Sequence, residues 1–315
     1  MFKLFPEQQA GTEKKAEVEK PLETEVRLEI FRHSKKENDP NRPNLELLLT
    51  PEGRALAHEK GLELNPDVNV SVAGASLMDR AAETAMLAML ANEDKIKVGD
   101  SLGEMNDKVA EEIKMGKKIY RDDRLGFNLD GPVHHEGETA FKSGYYMKWL
   151  SEDSDKQAIE KGDKISTTYL RQAGNIAELV NRYSKIGNNF NRLADEKKKD
   201  GEEFPLHLER YLATHQGVPE SFMAELLKLQ EGREACNKFL NGLGNGWAET
   251  KGMSLRIVNK GEAQSIILSY PDKGEQKEIE ITPGTINAII SRRATFEAAV
   301  TPISSSNKLE KNAEI

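Results

Sequence analysis

Two hydrophobic periods alternate along this chain, and that alternation constrains its fold more than any other feature. Val26 to Phe31 (VRLEIF) alternates apolar and charged side chains, the period of a strand with one covered face. Thr50-Pro51-Glu52 then opens a helix, with Thr as N-cap, Pro at the first helical position and an acid in the first turn, and the helix is expected to stop near Gly61. Val68–Ala73 predicts a second strand. Met78–Ala91 predicts a long helix, with Ala, Met and Leu at i, i+3, i+4 spacing, and Asn106–Met115 another. Lys118 to Gly137 is broken by Gly126, Gly131, Pro132 and Gly137 and is expected to be irregular. Thr139 to Ala194 is strongly helical, with a polar break at Ser151–Asp155. Arg210–Thr214 predicts a third strand and Pro219–Leu240 a helix. Met253–Val258, Ser265–Ser269 and Glu278–Ile281, separated by Gly-containing turns, predict a meander, and Thr282-Pro283 caps a final helix over Gly284–Ala299. Strands alternating with helices imply an α/β fold. A three-layer sandwich is expected, with a mostly parallel central sheet and a small antiparallel C-terminal extension.

Residues 1–25 and 303–315 read as disordered tails, poor in apolar residues and lacking any period. Between them, 26–302 is expected to form one domain, with 139–200 as a helical insertion that is either a cap over a pocket or a packing element. Apolar residues make up 37% of the chain, enough for a sizeable core. The 31% charged residues balance to a net charge of -8, which speaks against a nucleic-acid partner. The single cysteine, Cys236, excludes an internal disulfide framework and any multi-cysteine metal site, and is expected in core or boundary packing. No apolar run reaches the roughly 18 residues needed to cross a bilayer. The apolar start of MFKLFPEQQAG is too short for a signal peptide. A cytoplasmic location and no membrane partner are therefore expected.

In an open α/β sheet the site lies beyond the carboxyl ends of the strands. The first strand ends in Phe31-Arg32-His33-Ser34, the second leads into Gly74-Ala75-Ser76-Leu77-Met78-Asp79-Arg80, and the third ends in Thr214-His215-Gln216-Gly217. Two arginines and two histidines thus converge on one rim. Guanidinium forks match phosphate oxygens and stay charged, and Arg80 lies near a helix N-terminus that also favours an anion. A neutral imidazole is a good nucleophile near pH 7, and a second one can donate to phosphoryl oxygens in the transition state.

The motifs carrying these residues resemble those of the histidine phosphatase superfamily, which includes the cofactor-dependent phosphoglycerate mutases and the histidine acid phosphatases. LEIFRHS (28–34) is similar to the family's strand ending in Arg-His-Gly, and LLTPEGRALAHEKG (48–61) to its Leu-Thr-x-x-Gly-x-x-x-Ala helix start. AGASLMDRAAETA (73–85) is similar to its Ser-Ser-x-x-x-Arg-Ala-x-x-Thr-Ala segment, and YLATHQG (211–217) to the strand bearing the second histidine. The resemblance covers about 26–90 and 208–225 and is weak elsewhere. It implies that His33 becomes phosphorylated, that Arg32, Arg80 and His215 complete the phosphate pocket, and that neither metal nor cofactor is needed. The partner implied is a phosphorylated small molecule or phosphoprotein.

Three departures stand out. Ser34 replaces the glycine after the nucleophile, either narrowing the pocket or adding a donor to it. The family's acidic proton donor is expected at Gly126 or Phe127, with Asp130 and Glu136 the nearest downstream carboxylates. Gln216 stands where the acid-phosphatase branch has Asp. Lys35, Lys36 and Arg42 form either a basic rim for a second anionic group or a solvated loop. His134-His135-Glu136 does not read as a metal site, because adjacent side chains diverge. His58 is expected at the surface or boundary of its helix, and His207 is expected to have no catalytic role. The preferred function is a metal-independent phosphomonoesterase working through a phosphohistidine. The alternatives are a phosphoglycerate-mutase-like phosphotransferase, or a degenerate phosphatase fold that binds a phospho-ligand or a protein.

Overall fold

The computed structural model describes residues 21–64, 72–91, 97–113, 118–128 and 130–301. β1 (Glu23–Arg32) shows the alternation its sequence implies. Val26, Leu28 and Ile30 are fully buried on one face, while Glu25, Arg27 and Glu29 lie half-buried on the other. Each of those three buried side chains contributes about 2 kcal/mol of transfer free energy. The strand begins at Glu23, so residues 23–25 belong to the sheet rather than to the expected tail.

β1 sits at the middle of a seven-stranded sheet. The order is β3 (Lys118–Arg121), β2 (Val72–Ala75), β4 (His207–Thr214), β1, β5 (Gly252–Lys260), β6 (Ala263–Asp272), β7 (Glu275–Ile281). β3, β2, β4 and β1 run parallel, and β5 to β7 form the antiparallel meander read from the sequence. On one face Val26, Leu28 and Ile30 meet apolar residues of α7 (Tyr169–Lys199) and α8 (Val218–Gln230), with α10 (Pro283–Val300) behind. On the other, Phe31, Tyr211 and Ala213 meet α2 (Asp79–Leu90), which α1 (Pro51–Glu63) covers in turn. Residues Arg80 to Leu90 are all buried, as a helix between a sheet and another helix must be. α3 (Leu102–Ile113) packs at the β3 edge.

The helix starts follow the capping chemistry. Thr50 Oγ1 accepts from Gly53 N at 3.0 Å, and Thr282 Oγ1 from Thr285 N at 3.2 Å. Gly53 also allows a close approach, since a Cβ there would lie 2.2 Å from Lys35 O. That contact seats α1 against the loop leaving β1.

Several expectations are corrected. Lys118–Arg121, expected to be irregular, is a strand, because four residues are too few to show a period. β2 runs from Val72 to Ala75, and expected strand residues 68–71 lie outside the described residues. α3 starts four residues before the expected Asn106, and Lys114 and Met115 lie outside the described residues. The helix expected over Pro219–Leu240 divides into α8 and α9 (Arg233–Asn241) at Gly232, whose φ is +96°. Ser151–Asp155 is not a break. The chain passes from α5 (Tyr146–Trp149) through a wide helical turn at Leu150–Ser154 into α6 (Asp155–Lys161), and Ser154 Oγ donates back to Leu150 O at 2.5 Å. The helix ends instead at Gly162, with φ +63°. α7 packs along β1 and β5, so its residues form part of the helical layer on the sheet, while α4 (His134–Lys142) and α5 lie nearer the strand ends described below. Cys236 is buried in the core, as expected.

The polar face of β1 holds one costly group. Glu209 on β4 is 4% exposed, and its Oε1 has no hydrogen-bond partner. Burial first, then the neighbouring Glu29 carboxylate, push its carboxyl up from 4.5 to about 7, against the pull of Arg27. A carboxyl that binds its proton more tightly when folded gives stability that is complete below about pH 4.5 and lost as pH rises through about 7. The full loss is at most about 3 kcal/mol at 1.36 kcal/mol per unit. Glu209→Gln is therefore expected to raise Tm by several degrees at pH 8 and little at pH 5. Thermal melts at the two pH values check this, and equal shifts at both would remove the titration from the explanation.

Candidate active site

Register brings the site together. Arg32 pairs with Thr214 across β1 and β4, and Ala75 with Ala213 across β2 and β4. The next residues continue the ladder, with His33 N donating to Thr214 O at 2.7 Å and Ser76 N to Ala213 O at 3.2 Å. Three strands therefore end at one level and release His33, Ser76 and His215 side by side. β3 adds a fourth end, where Asp122 N donates to Ala75 O at 2.8 Å. Arg121 braces the turn after β2, donating from Nη1 to the carbonyls of Ser76 (2.9 Å) and Met78 (2.8 Å).

The four residues singled out from the sequence share one cleft of about 830 Å³. The rings of His33 and His215 stand edge to face, with centroids 4.9 Å apart. His33 Nδ1 lies 2.6 Å from Ser34 O, and its Nε2 lies 3.2 Å from Arg80 Nε. A carbonyl and a guanidinium N–H fix the tautomer between them: Nδ1 carries the hydrogen, and Nε2 keeps its lone pair. Burial, and then Arg80, lower the His33 pKa to about 3, so the ring is neutral at any working pH. His215 Nε2 lies 2.6 Å from Ser76 Oγ, and burial first, then the neighbouring His33 ring and Arg80 guanidinium, push its pKa well down.

Arg80 is buried, and burial lowers its pKa to about 10, which leaves it charged. Its Nη1 donates to Asn44 O at 2.6 Å. Arg32 donates from Nη1 to Trp247 O at 2.8 Å and from Nη2 to Glu249 Oε1 at 3.2 Å. Its buried Nε has no hydrogen-bond partner, which leaves a donor for an anion. Glu220, fully buried, accepts from Gly217 N at 2.9 Å and Trp247 N at 2.7 Å. It thereby ties the turn after His215 to the loop that holds Arg32. Gly217, with φ +90°, makes that turn, where a Cβ would lie 3.0 Å from the Tyr146 ring.

The other sequence candidates separate. Lys36 lines the cleft, with Nζ 3.4 Å from Asn44 Oδ1, and burial followed by the Arg80 charge lowers its pKa. Lys35 pairs with Glu52 at 2.5 Å and Arg42 with Glu37 at 2.9 Å, and neither lines the cleft. Ser34 is fully buried outside the cleft wall, its N–H donating to Thr84 Oγ1 at 3.1 Å and its Oγ without a hydrogen-bond partner. Gly126 and Phe127 line the cleft where the acid was expected. Asp130 lies on the exposed rim, whereas Glu136 lies off the cleft, bound to Lys161 Nζ at 2.5 Å. Gln216 Nε2 donates to Asn245 O. His134 also lines the cleft, and His207 is exposed at the start of β4.

Ser76, Glu220, Glu249 and Asp123 complete the surroundings and were not singled out as site residues. Ser76 had a signal, standing four residues before Arg80 in the motif. Glu220 had a fainter one, as an acid in the first turn of a helix that follows Gly217 and contains Pro219. Glu249 had none, and Asp123 follows the strand that was missed.

No protein-family model matches the chain, and no curated protein matches it. Among solved structures it is similar to a mycobacterial glucosyl-3-phosphoglycerate phosphatase at 16% identity, covering 78% of this chain and 97% of that one, with a TM-score of 0.42. It is also similar to a phosphoglycerate mutase from Bacillus anthracis str. Sterne at 15% identity, covering 86% and 97%, with a TM-score of 0.38. Such low values leave the function to be argued from the residues. Three of the four segments that resemble the histidine phosphatase superfamily, 28–34, 73–85 and 211–217, come together at the carboxyl ends of the strands in a mixed α/β fold, while 48–61 forms α1 packed on α2.

Proposed function

We propose that this chain is a phosphomonoesterase of the histidine phosphatase type, with His33 as the nucleophile. The observation that supports it most is the double tether of His33. Its Nδ1–H is held on Ser34 O, and its lone-pair Nε2 is turned toward the buried guanidinium of Arg80. An imidazole so held needs no base to become a nucleophile.

As substrate binds, its phosphoryl oxygens take over the Arg80 Nε–H from His33 Nε2, which frees that lone pair, and accept from the unpartnered Nε of Arg32. His33 Nε2 attacks phosphorus, the P–O bond to the leaving group breaks, and its electron pair departs on oxygen. The Nδ1–H bond to Ser34 O steadies the imidazolium character that the ring gains. His215, hydrogen-bonded to Ser76, stands beside the transferring group as a donor to its equatorial oxygens. Water then attacks the phosphorus of the phosphohistidine, the N–P electron pair returns to His33 Nε2, and the water's proton passes through solvent to the departed oxyanion, so that orthophosphate and the free alcohol or phenol leave. Positive charge in this scheme comes from Arg32 and Arg80.

Hydrolysis of 4-nitrophenyl phosphate in excess EDTA tests the reading, and inactivity of the EDTA-treated protein would remove it. Arg80→Ala is expected to weaken vanadate inhibition by well over tenfold, and Arg80→Lys to restore it only in part, because a point charge supplies attraction without the planar fork. Equal vanadate inhibition of wild type and Arg80→Ala would take Arg80 out of the pocket.

A further inference from the structure

The two arginines and two histidines occupy only the inner end of the cleft. Its mouth has a different character. Leu45, Leu77 and Phe141 are 53%, 54% and 47% exposed, and all three line it. A single exposed leucine is ordinary, but three large apolar side chains from three separate segments meeting at the entrance of one polar pocket are not. Behind them lies an aromatic wall. Phe127 and Phe141 each stand edge-on to Tyr146, with centroids 6.3 and 6.0 Å away and interplanar angles of 74° and 70°.

We propose that this mouth is an apolar subsite for the ring of an aryl phosphate. The proposal rests on the phosphatase reading and adds a substrate class to it. Two observations of different kinds support it. The first is the wall itself, which offers ring faces and edges to a planar group, and aromatic pairs gain beyond simple area burial when offset or edge-on. The second is Gly126-Phe127, which puts a glycine and a ring where an acid was expected. A phenolate leaves without a proton, whereas an alkoxide does not. Two of the four carboxylates that line the cleft are occupied, Glu138 by Lys142 at 2.7 Å and Glu249 by Arg32 at 3.2 Å, which leaves Asp123 and Asp130 as the acids that the leaving-group series must test. About 830 Å³ is the size of clefts that hold a drug-sized ligand, room for a phosphate with one or two rings. The ring can belong to a free aryl ester or to a phosphotyrosine side chain.

Calorimetric titration of the full chain with non-hydrolysable probes separates the two parts of the reading. Orthophosphate reports the inner pocket, and methylphosphonate against 1-naphthylmethylphosphonate reports the mouth. The naphthyl probe is expected to bind at least tenfold more tightly than the methyl one. Phe141→Ala and Leu77→Ser should each cut that advantage severalfold while leaving orthophosphate affinity as it was. A hexapeptide carrying phosphonomethylphenylalanine identifies the source: tighter binding than the naphthyl probe points to phosphotyrosine, and weaker binding to a free aryl ester. Orthophosphate binding with equal affinity for the two phosphonates overturns the apolar subsite and leaves the phosphatase reading standing. So does a naphthyl advantage that survives in both variants. Failure of orthophosphate and of every phosphonate to bind overturns the phosphatase reading, and the subsite with it.

Discussion

His33→Ala is expected to lower kcat/KM for an aryl phosphate by at least about 10⁴-fold, the scale on which removing a covalent nucleophile acts. Tm should move by no more than a few degrees. His33 is not part of either apolar cluster, and its ring bonds are to one carbonyl and one guanidinium that keeps Asn44 O as a second partner. Rapid quenching with labelled substrate should trap an acid-labile, base-stable phosphoenzyme in wild type and none in the variant. With the His33 pKa lowered to about 3, the free enzyme's pH profile should show no inflection near the ordinary histidine value of 6.5 from this residue. Near-wild-type turnover by a folded His33→Ala protein would end the assignment.

Reaction rates are expected to fall steeply as the leaving group becomes more basic. A positioned general acid contributes about 10²–10⁴-fold, chiefly for leaving groups that depart poorly unprotonated. Here Gly126 and Phe127 occupy the expected place, Glu136 is held by Lys161 away from the cleft, and Gln216 is no acid. Alkyl phosphates should therefore lag aryl phosphates by that additional factor. Asp130→Asn and Glu136→Gln should change little. Asp123→Asn belongs in the same series, because Asp123 lines the cleft from the end of β3. The measurement is single-turnover rates over substituted phenyl and alkyl phosphates. A shallow dependence in wild type that turns steep in one variant would name that residue as the acid.

The core of this arrangement was legible because it is local. Arg32-His33 and His215-Gln216 stand at strand ends and Arg80 lies in the first turn of the helix after β2, and parallel register does the rest by ending β1, β2 and β4 at one level. What escaped was whatever depends on a distant return of the chain. Trp247 O and Glu249 reach Arg32 from more than 200 residues away, out of a loop with no motif, and Asn44 O holds Arg80 through a backbone carbonyl that any residue would present. β3 was missed because four residues cannot establish a period, and Asp123 was missed with it. The polar stretch Ser151–Asp155 looked like an interruption because a serine that bonds to the preceding turn has the same composition as one that breaks a helix.

The central position of β1 has a consequence during synthesis. The strand leaves the ribosome before its partners β4 and β5, which emerge some 180 to 230 residues later. At a translation rate of about 5–20 residues per second, both edges of β1 and its Val26-Leu28-Ile30 face wait on the order of ten seconds or more for cover. The parallel β-α units between them cannot close the sheet alone. A nascent chain of this design leaves an apolar strand face and two unpaired strand edges exposed for longer than one whose central strand pairs with its neighbours in sequence.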